Sequence, residues 1–420
     1  MIVVRWLFVF LLTAMAATLA RAAGEGALRL SLPEAERLWQ EHNREVKLAR
    51  VAVRGAEADL VAAGQAPNPQ LSLNVASLSP QDGVGAGGLR EKQMDSILRL
   101  EQLIERGDKR ELRAQSAGAK LEATQRDFDE TRRQQRLALW SAYYDLLLAQ
   151  EKKGSAEDTA ALYARSLAAG EARLKAGDIS LSDRSRLRVE KLRADNDARQ
   201  AVADWERAQL ALAYLTGEET RASQLVAADA WPALAADAAG GEANIAQRPD
   251  VRAAQARLVA AEAARDLARS LKKRDVTVGV QLEHNLQNAP RNSFGFGVSV
   301  PLFVRYEYEG EIARAEADLQ LAREQLERLV AQALGDADQA RSQLAASAER
   351  RQRFENELLA DAERVASAAE FAYGKGAMGL IDLLDARRTW RQVRLEAAQA
   401  RADYAKAQAA WRMLTAWEKP

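Results

Sequence analysis

The chain repeats itself, and no other feature constrains its fold as much. At an offset of 205, Val46 aligns with Val251, Glu57 with Glu262, and Leu71-Ser72-Leu73-Asn74-Val75 with Val276-Thr277-Val278-Gly279-Val280. At an offset of 199, Gly177 aligns with Gly376, Leu181 with Leu380, Asp183 with Asp382, Trp205 with Tyr404, and Leu215-Thr216 with Leu414-Thr415. The matches keep one order in both halves, so a tandem duplication of roughly 200 residues per unit accounts for them. Each half begins with a helical stretch, Leu32 to Gly64 and Pro249 to Lys273. Two short alternating segments around a polar loop follow. A very long helical stretch comes next, from about Lys109 and from about Gly310. It breaks at Gly177 or Gly376, and a further long helix returns. Between the halves, Gly217 to Arg248 is rich in Ala, Gly and Asp and reads as a linker subdomain. The expected divisions are therefore 23–216, 217–248 and 249–420.

The long helices carry a narrow apolar stripe. Ile312, Ala315, Leu319, Ala322, Leu326, Leu329 and Ala333 step by three and four. So do Val393, Ala397, Ala400, Tyr404, Ala407, Trp411 and Leu414, and in the first half Ala194, Ala198, Ala201, Trp205, Ala208, Leu212 and Leu215. That is coiled-coil spacing, with Ala permitting close approach. Lys109 to Arg173 as one helix would reach about 100 Å, with Gly154 and Gly170 inside it.

The composition fits such helices: 29% charged and 6% aromatic residues. Basic and acidic residues balance at 60 each, which gives nucleic acid no attracting field. The absence of cysteine removes disulfides, thiolate metal sites and an acylated N-terminal Cys. Two histidines, His42 and His284, are too few for a histidine-based metal site. No phosphate loop, nucleophile elbow or metal-ligand cluster is present. No catalytic, cofactor or metal residue is assigned, and an enzyme is the least favoured class. At the N-terminus, Arg5 precedes the apolar run Trp6 to Leu12, and Ala20-Arg21-Ala22 fits small-x-small cleavage, predicting a signal peptide over 1–22. No later stretch reads as a transmembrane helix, so a membrane span would need strands.

Four segments alternate: Leu71 to Val75, Ser96 to Glu101, Val276 to Glu283 and Phe294 to Val300. One face is apolar and the other is polar or glycine. Two readings are open: the wall of a membrane barrel, or two hairpins packed on their own helices. Four strands cannot close around a pore, and open edges in lipid leave backbone groups unpaired. The membrane reading therefore requires an oligomer, and three chains would supply twelve strands. The loops Ser77 to Gln93 and His284 to Asn292 are polar, as expected for extracellular hairpin ends.

These residues resemble the TolC-like outer membrane efflux family. The most specific parts are Val298-Ser299-Val300-Pro301-Leu302-Phe303, leading to Gly310-Glu311-Ile312-Ala313-Arg314-Ala315-Glu316-Ala317, and the turn from Gly376 to Arg387. Leu100 to Arg110 is similar to the Gln-x-Ile-Glu-x-Gly-Gly-Lys-Arg turn of the heavy-metal, CzcC-type branch, with Asp108 in place of the second Gly. The resemblance implies an α+β, mostly α fold. It implies a homotrimer whose 12-stranded β-barrel continues into a periplasmic α-helical barrel. It implies export through the Sec route to the cell outer membrane, and contact with outer-membrane lipid. It also implies a periplasmic adaptor (membrane fusion) protein and an inner-membrane RND-type pump as partners, in a passive exit duct for heavy-metal cations.

By the same resemblance the two Gly turns are periplasmic tips that dock on the adaptor through Gly177, Leu181, Gly376 and Leu380, both leucines being expected to be exposed. Asp382 and Asp385 lie one helical turn apart, and Asp183 holds the equivalent place in the first half. In a trimer they would form acidic rings at a narrow periplasmic gate, with Tyr373 as its tyrosine. The basic partner of such a gate is missing near Met378. Read without the resemblance, these are ordinary interhelical turns and solvated charges. The competing function is a periplasmic coiled-coil adaptor or scaffold without a pore.

Overall fold

A computed structural model describes residues 27–76, 95–235, 243–285 and 291–415. The expected signal peptide, the first hairpin loop and the centre of the second lie outside the described residues. The fold is mostly helical with a small amount of sheet, as expected. The elements are β1 (Leu28–Leu30), α1 (Leu32–His42), α2 (Arg44–Ala63), β2 (Gln70–Ala76), β3 (Asp95–Ile104), α3 (Lys109–Ala176), α4 (Leu181–Thr216), β4 (Leu225–Ala227), α5 (Pro249–Ser270), β5 (Val276–His284), β6 (Asn292–Ser299), α6 (Glu309–Arg353), α7 (Leu359–Gly374) and α8 (Leu380–Thr415).

The duplication survives in the element lengths. The returning helices α4 and α8 have 36 residues each. α3 runs unbroken for 68 residues. Its counterpart reaches nearly the same length in three pieces, because a π-helical turn at Phe354–Leu358 joins α6 to α7. There Phe354 packs on Ala397 and Ala400, and Arg351 and Arg401 both donate to Glu355 at 3.0 Å. The stretch Leu32 to Gly64 is two helices rather than one. Asn43 divides them, its Oδ1 accepting the Val46 N–H at 3.0 Å, which caps the second helix. α1 itself starts on a capping box between Ser31 and Glu34.

Both long helices begin at a residue in the left-handed region, Asp108 (φ 58°) and Tyr308 (φ 61°). Each carbonyl accepts the first helical N–H, from Leu112 and Ile312. The similarity of Asp108 to a family Gly is thereby explained: the position needs positive φ, and Asp tolerates it better than most side chains.

Gly170 does not break α3, and the reason is packing. A Cβ there would stand 2.6 Å from Cδ1 of buried Leu187 on α4. Gly154 has open space around it. Gly170→Val is expected to cost about 1–3 kcal/mol by overpacking, while Gly154→Ala gains up to about 1 kcal/mol of helix propensity. Thermal unfolding of the two variants should shift in opposite directions.

The chain divides into two compact units: residues 1–48, 131–245 and 334–420 in one, and 49–130 and 246–333 in the other. Each draws on both repeats. In the first unit, β1 and β4 pair in parallel, a contact the sequence did not reveal because three-residue strands carry no periodicity. Gln150 on α3 clamps the pair through both amide groups to Ala227, and Tyr143 donates to the carbonyl of Leu30 at 3.0 Å and to Asp229 at 2.9 Å. Burial pushes the Tyr143 phenol well above its ordinary range, so the hydroxyl stays a donor. The linker is pinned as well: Trp231 stacks on Tyr144 and donates to Glu151 at 2.8 Å.

In the second unit, four antiparallel strands form one sheet in the order β2-β3-β5-β6. Its lower end is strapped. Asp275, just before β5, accepts from Lys109 Nζ at 2.7 Å and from the Arg106 N–H at 2.9 Å. The Lys109 ammonium is buried and also donates to the Lys273 carbonyl.

Candidate functional site

Register sorts the sheet into two faces. Leu71 pairs with Leu100, Leu100 with Val280, and Val280 with Phe296; Leu73, Leu98, Leu282 and Phe294 form the next row. Val278 and Val298 continue the same face. The opposite face carries rows Ser72, Arg99, Gln281, Gly295 and Gln70, Glu101, Gly279, Gly297. Arg99 bonds Gln281 at 2.8 Å on this polar side. The apolar side chains point to solvent in the single chain; Phe296 is 83% exposed. Among the described residues no helix covers them, so the alternative of hairpins packed on their own helices fails for this face. From the row of Leu98 to that of Ile104 the band spans about 20 Å along the strands. Among the described residues, both outer strands, β2 and β6, keep an unpaired edge. They run antiparallel to one another, so β6 of one copy can pair with β2 of the next without breaking the alternation.

At the far ends of the long helices, the two turns share one geometry. Gly177 (φ 81°) and Gly376 (φ 75°) are left-handed, and Asp178 and Ala377 donate back to Arg173 and Ala372. Both are Schellman endings, for which glycine carries the least strain. Their N-caps differ. Ser180 Oγ accepts the Asp183 N–H at 3.0 Å and donates to its carboxylate at 2.8 Å, whereas Gly379 holds the equivalent place before Asp382. Asp183 is thus occupied by its own cap and by Arg186 at 3.5 Å. Asp382 and Asp385 stand exposed on α8.

The two tip leucines are not equivalent. Leu181 is 67% exposed as expected, but Leu380 is 8% exposed. Leu380 turns into a core formed with Tyr163, Leu187, Ala194, Ala369, Leu383 and Leu384, and Ile381 takes the exposed place at 59%. The reason is the stripe: Leu380, Leu383 and Leu384 follow three-and-four spacing, which faces them inward. Tyr373 packs half-buried against this core, with the Arg173 guanidinium over its ring at 5.3 Å.

Just beyond that core lies a contact the sequence reading missed. Glu190 on α4 is buried and accepts from Arg388 on α8 at 2.6 Å and from Arg193 at 3.2 Å. The Arg388 hydrogen bond holds the Glu190 carboxyl below its ordinary range despite its burial, and Glu190 in turn raises the Arg388 guanidinium. Arg391 bonds Asp197 at 2.7 Å one turn further on. The signal was available: Leu187, Glu190 and Ala194 step by three and four, which puts a carboxylate on an apolar seam. These pairs join a helix of the first repeat to one of the second.

Among the described residues, no group of three His, Asp or Glu side chains could hold a metal ion, and no helix is long and apolar enough to cross a membrane. One unit carries a sheet with an apolar face, and the other carries the charged helical turns.

The comparisons agree with this architecture. Residues 37–218 and 242–416 each match the outer membrane efflux protein family, one match per repeat. The chain is 27% identical to the cobalt-zinc-cadmium resistance protein CzcC of Cupriavidus metallidurans over 375 residues, 88% of this chain and 86% of that protein. Its fold is shared with the outer membrane protein VceC of Vibrio cholerae (TM-score 0.76, 18% identity, 92% of this chain and 97% of that one). It is shared equally with the CmeC outer membrane channel of Campylobacter jejuni (TM-score 0.78, 18% identity, 92% and 87%). The four-stranded sheet of one chain does not close on itself. Family and fold are those of channel proteins, and the chain belongs to the outer membrane efflux protein family.

Proposed function

We propose that three copies of this chain form the outer-membrane duct of a tripartite efflux system, a passive exit fed by a periplasmic adaptor and an inner-membrane RND-type pump. The observation that carries this reading is the solvent-facing apolar sheet with two free edges. In water that face is unfavourable, and in lipid the edges are. Placing the face in lipid and joining the edges three times removes both costs. The long helices then extend into the periplasm, and an expected Sec signal peptide over 1–22 delivers the chain. Cell fractionation tests the reading: it expects a heat-sensitive trimer in the outer membrane. A soluble periplasmic chain would overturn it in favour of a pore-free adaptor or scaffold.

Heavy-metal cations are the proposed cargo. The name of the CzcC relative supports this, as do the exposed carboxylates of Asp382 and Asp385, because a duct that binds cargo weakly needs only a matching field at its entrance. In this reading Asp382 and Asp385 ring the periplasmic gate, with Tyr373 behind them and Asp183 committed to its cap. Gly177, Leu181 and Gly376 form the adaptor-docking tips. At the second tip Ile381 takes over from Leu380 as the apolar contact. Asp382→Ala with Asp385→Ala removes six charges per trimer. It is expected to raise single-channel conductance or relieve divalent block, and to lower cation preference several-fold, to about neutral. Bilayer recordings that show no change in conductance, block or preference would remove these two residues from the gate.

A further inference from the structure

Beyond the end of the apolar sheet face lies a cluster of cations. Arg106 lies two residues past Ile104, and Arg274 two before its register partner Val276, just beyond the end of the paired strands. With Lys272, Lys273 and Phe303 they line an open cavity of about 670 Å³, whose only carboxylates are Asp108 and Glu307. Among the described residues none of these four cations takes part in an ion pair. The nearby Lys109 differs, being buried on Asp275. The Arg274 guanidinium lies 5.2 Å from the Phe303 ring centre, and Phe303 meets Tyr308 edge-on at 5.4 Å. Leu302 and Val304, on either side of Phe303, are exposed.

We propose that this cavity binds the phosphate headgroup of an anionic phospholipid in the periplasmic leaflet. The proposal rests on the outer-membrane reading above. Four cations against two carboxylates give the cavity a surplus of positive charge. Aromatic rings beside exposed aliphatic side chains are the composition of a membrane interface, where the rings sit at headgroup depth. Exposed Leu302 and Val304, flanking Phe303, offer the acyl chains an apolar surface. Arginine suits the task because its planar fork bonds phosphate in a bidentate manner. The backbone above the cavity is already fixed by the Asp275 strap and by left-handed Gly107 and Asp108, so binding orders little that is not ordered already.

The test uses the full-length protein in nanodiscs of phosphatidylcholine doped with phosphatidylglycerol, with retained lipid quantified by mass spectrometry after a detergent wash. Wild type should retain phosphatidylglycerol selectively. Arg106→Gln with Arg274→Gln should lower that retention by roughly tenfold or more, since each basic group near an anionic surface contributes about fivefold. Arg106→Lys with Arg274→Lys should restore most of it. Heat-sensitive trimers on the same samples report that the variants still assemble. Equal retention in wild type and the glutamine variant, or no preference by inserted wild type, overturns this proposal alone. Displacement of the lipid by millimolar glycerol 3-phosphate would assign the cavity to a free phosphate ester and also overturn it. Failure of wild type to insert at all sinks the channel reading, and the lipid site with it.

Discussion

In the proposed duct, Phe296→Arg is expected to abolish the trimer in the outer membrane. Phe296 lies in the middle row of the apolar face and is almost fully exposed in the single chain. A guanidinium there would face hydrocarbon near the midplane, at a cost of about 2–4 kcal/mol per copy. Three copies bring the total to about 6–12 kcal/mol, comparable to the whole stability of an ordinary domain. The control is one residue away. Gly297 lies on the polar face, and a Cβ there meets nothing within 4 Å. Gly297→Ser should therefore leave the heat-sensitive trimer intact. Equal loss in both variants, on gels of unheated membranes, would show that the two faces do not differ in their surroundings.

Arg388→Ala should loosen the helical end of the molecule and flatten its response to acid. Glu190 would stay buried, with the exposed Arg193 as its remaining ion-pair partner and Arg391 nearby. Breaking a buried pair from one side costs about 3–5 kcal/mol; because Arg388 is itself half exposed, about 1–3 kcal/mol is the fitting range here. In wild type the Glu190 carboxyl is held below its ordinary value. Its stabilising contribution is therefore complete above the ordinary carboxylate range and is lost as pH falls through the lowered value. Arg388 remains charged throughout. Removing it abolishes much of that depression, so the stability gap between wild type and variant should be full above the carboxylate range and should narrow as pH falls through the lowered value. In the channel reading the same change raises the open fraction in bilayer recordings at neutral pH. Superimposable acid-unfolding curves would mean that the pair holds nothing together.

The fold was legible where periodicity is long. Stripes such as Ile312 to Ala333 and Val393 to Leu414 recur every three or four residues, and none of these side chains is exposed. Strand register was legible because alternation of apolar with polar or glycine survives in Phe294 to Val298. Shorter or compensated features were hidden. β1 and β4 have three residues each and depend on Gln150, more than seventy residues away in sequence. The π turn at Phe354–Leu358 leaves no trace in composition, because it redirects hydrogen bonds without changing residue types. Leu380 misled because alignment with Leu181 took sequence equivalence for equal exposure, while its own neighbours Leu383 and Leu384 turned it inward. At the proposed gate, Glu190 was overlooked because a charge on a seam was read as one more helix-face residue; only its partner on another repeat gives it meaning.

The free edges of the sheet also bear on inheritance. A ring joined head to tail uses two different surfaces of every member, β2 on one side and β6 on the other. A subunit with a ruined edge can still donate its sound edge to a neighbour, and the ring then fails to close. If sound and defective copies are made equally and mix at random, only about one ring in eight contains no defective member under threefold closure. A lesion confined to β2 or β6 should therefore behave as dominant, silencing copies encoded by an intact allele, whereas a chain too damaged to reach the membrane should be recessive.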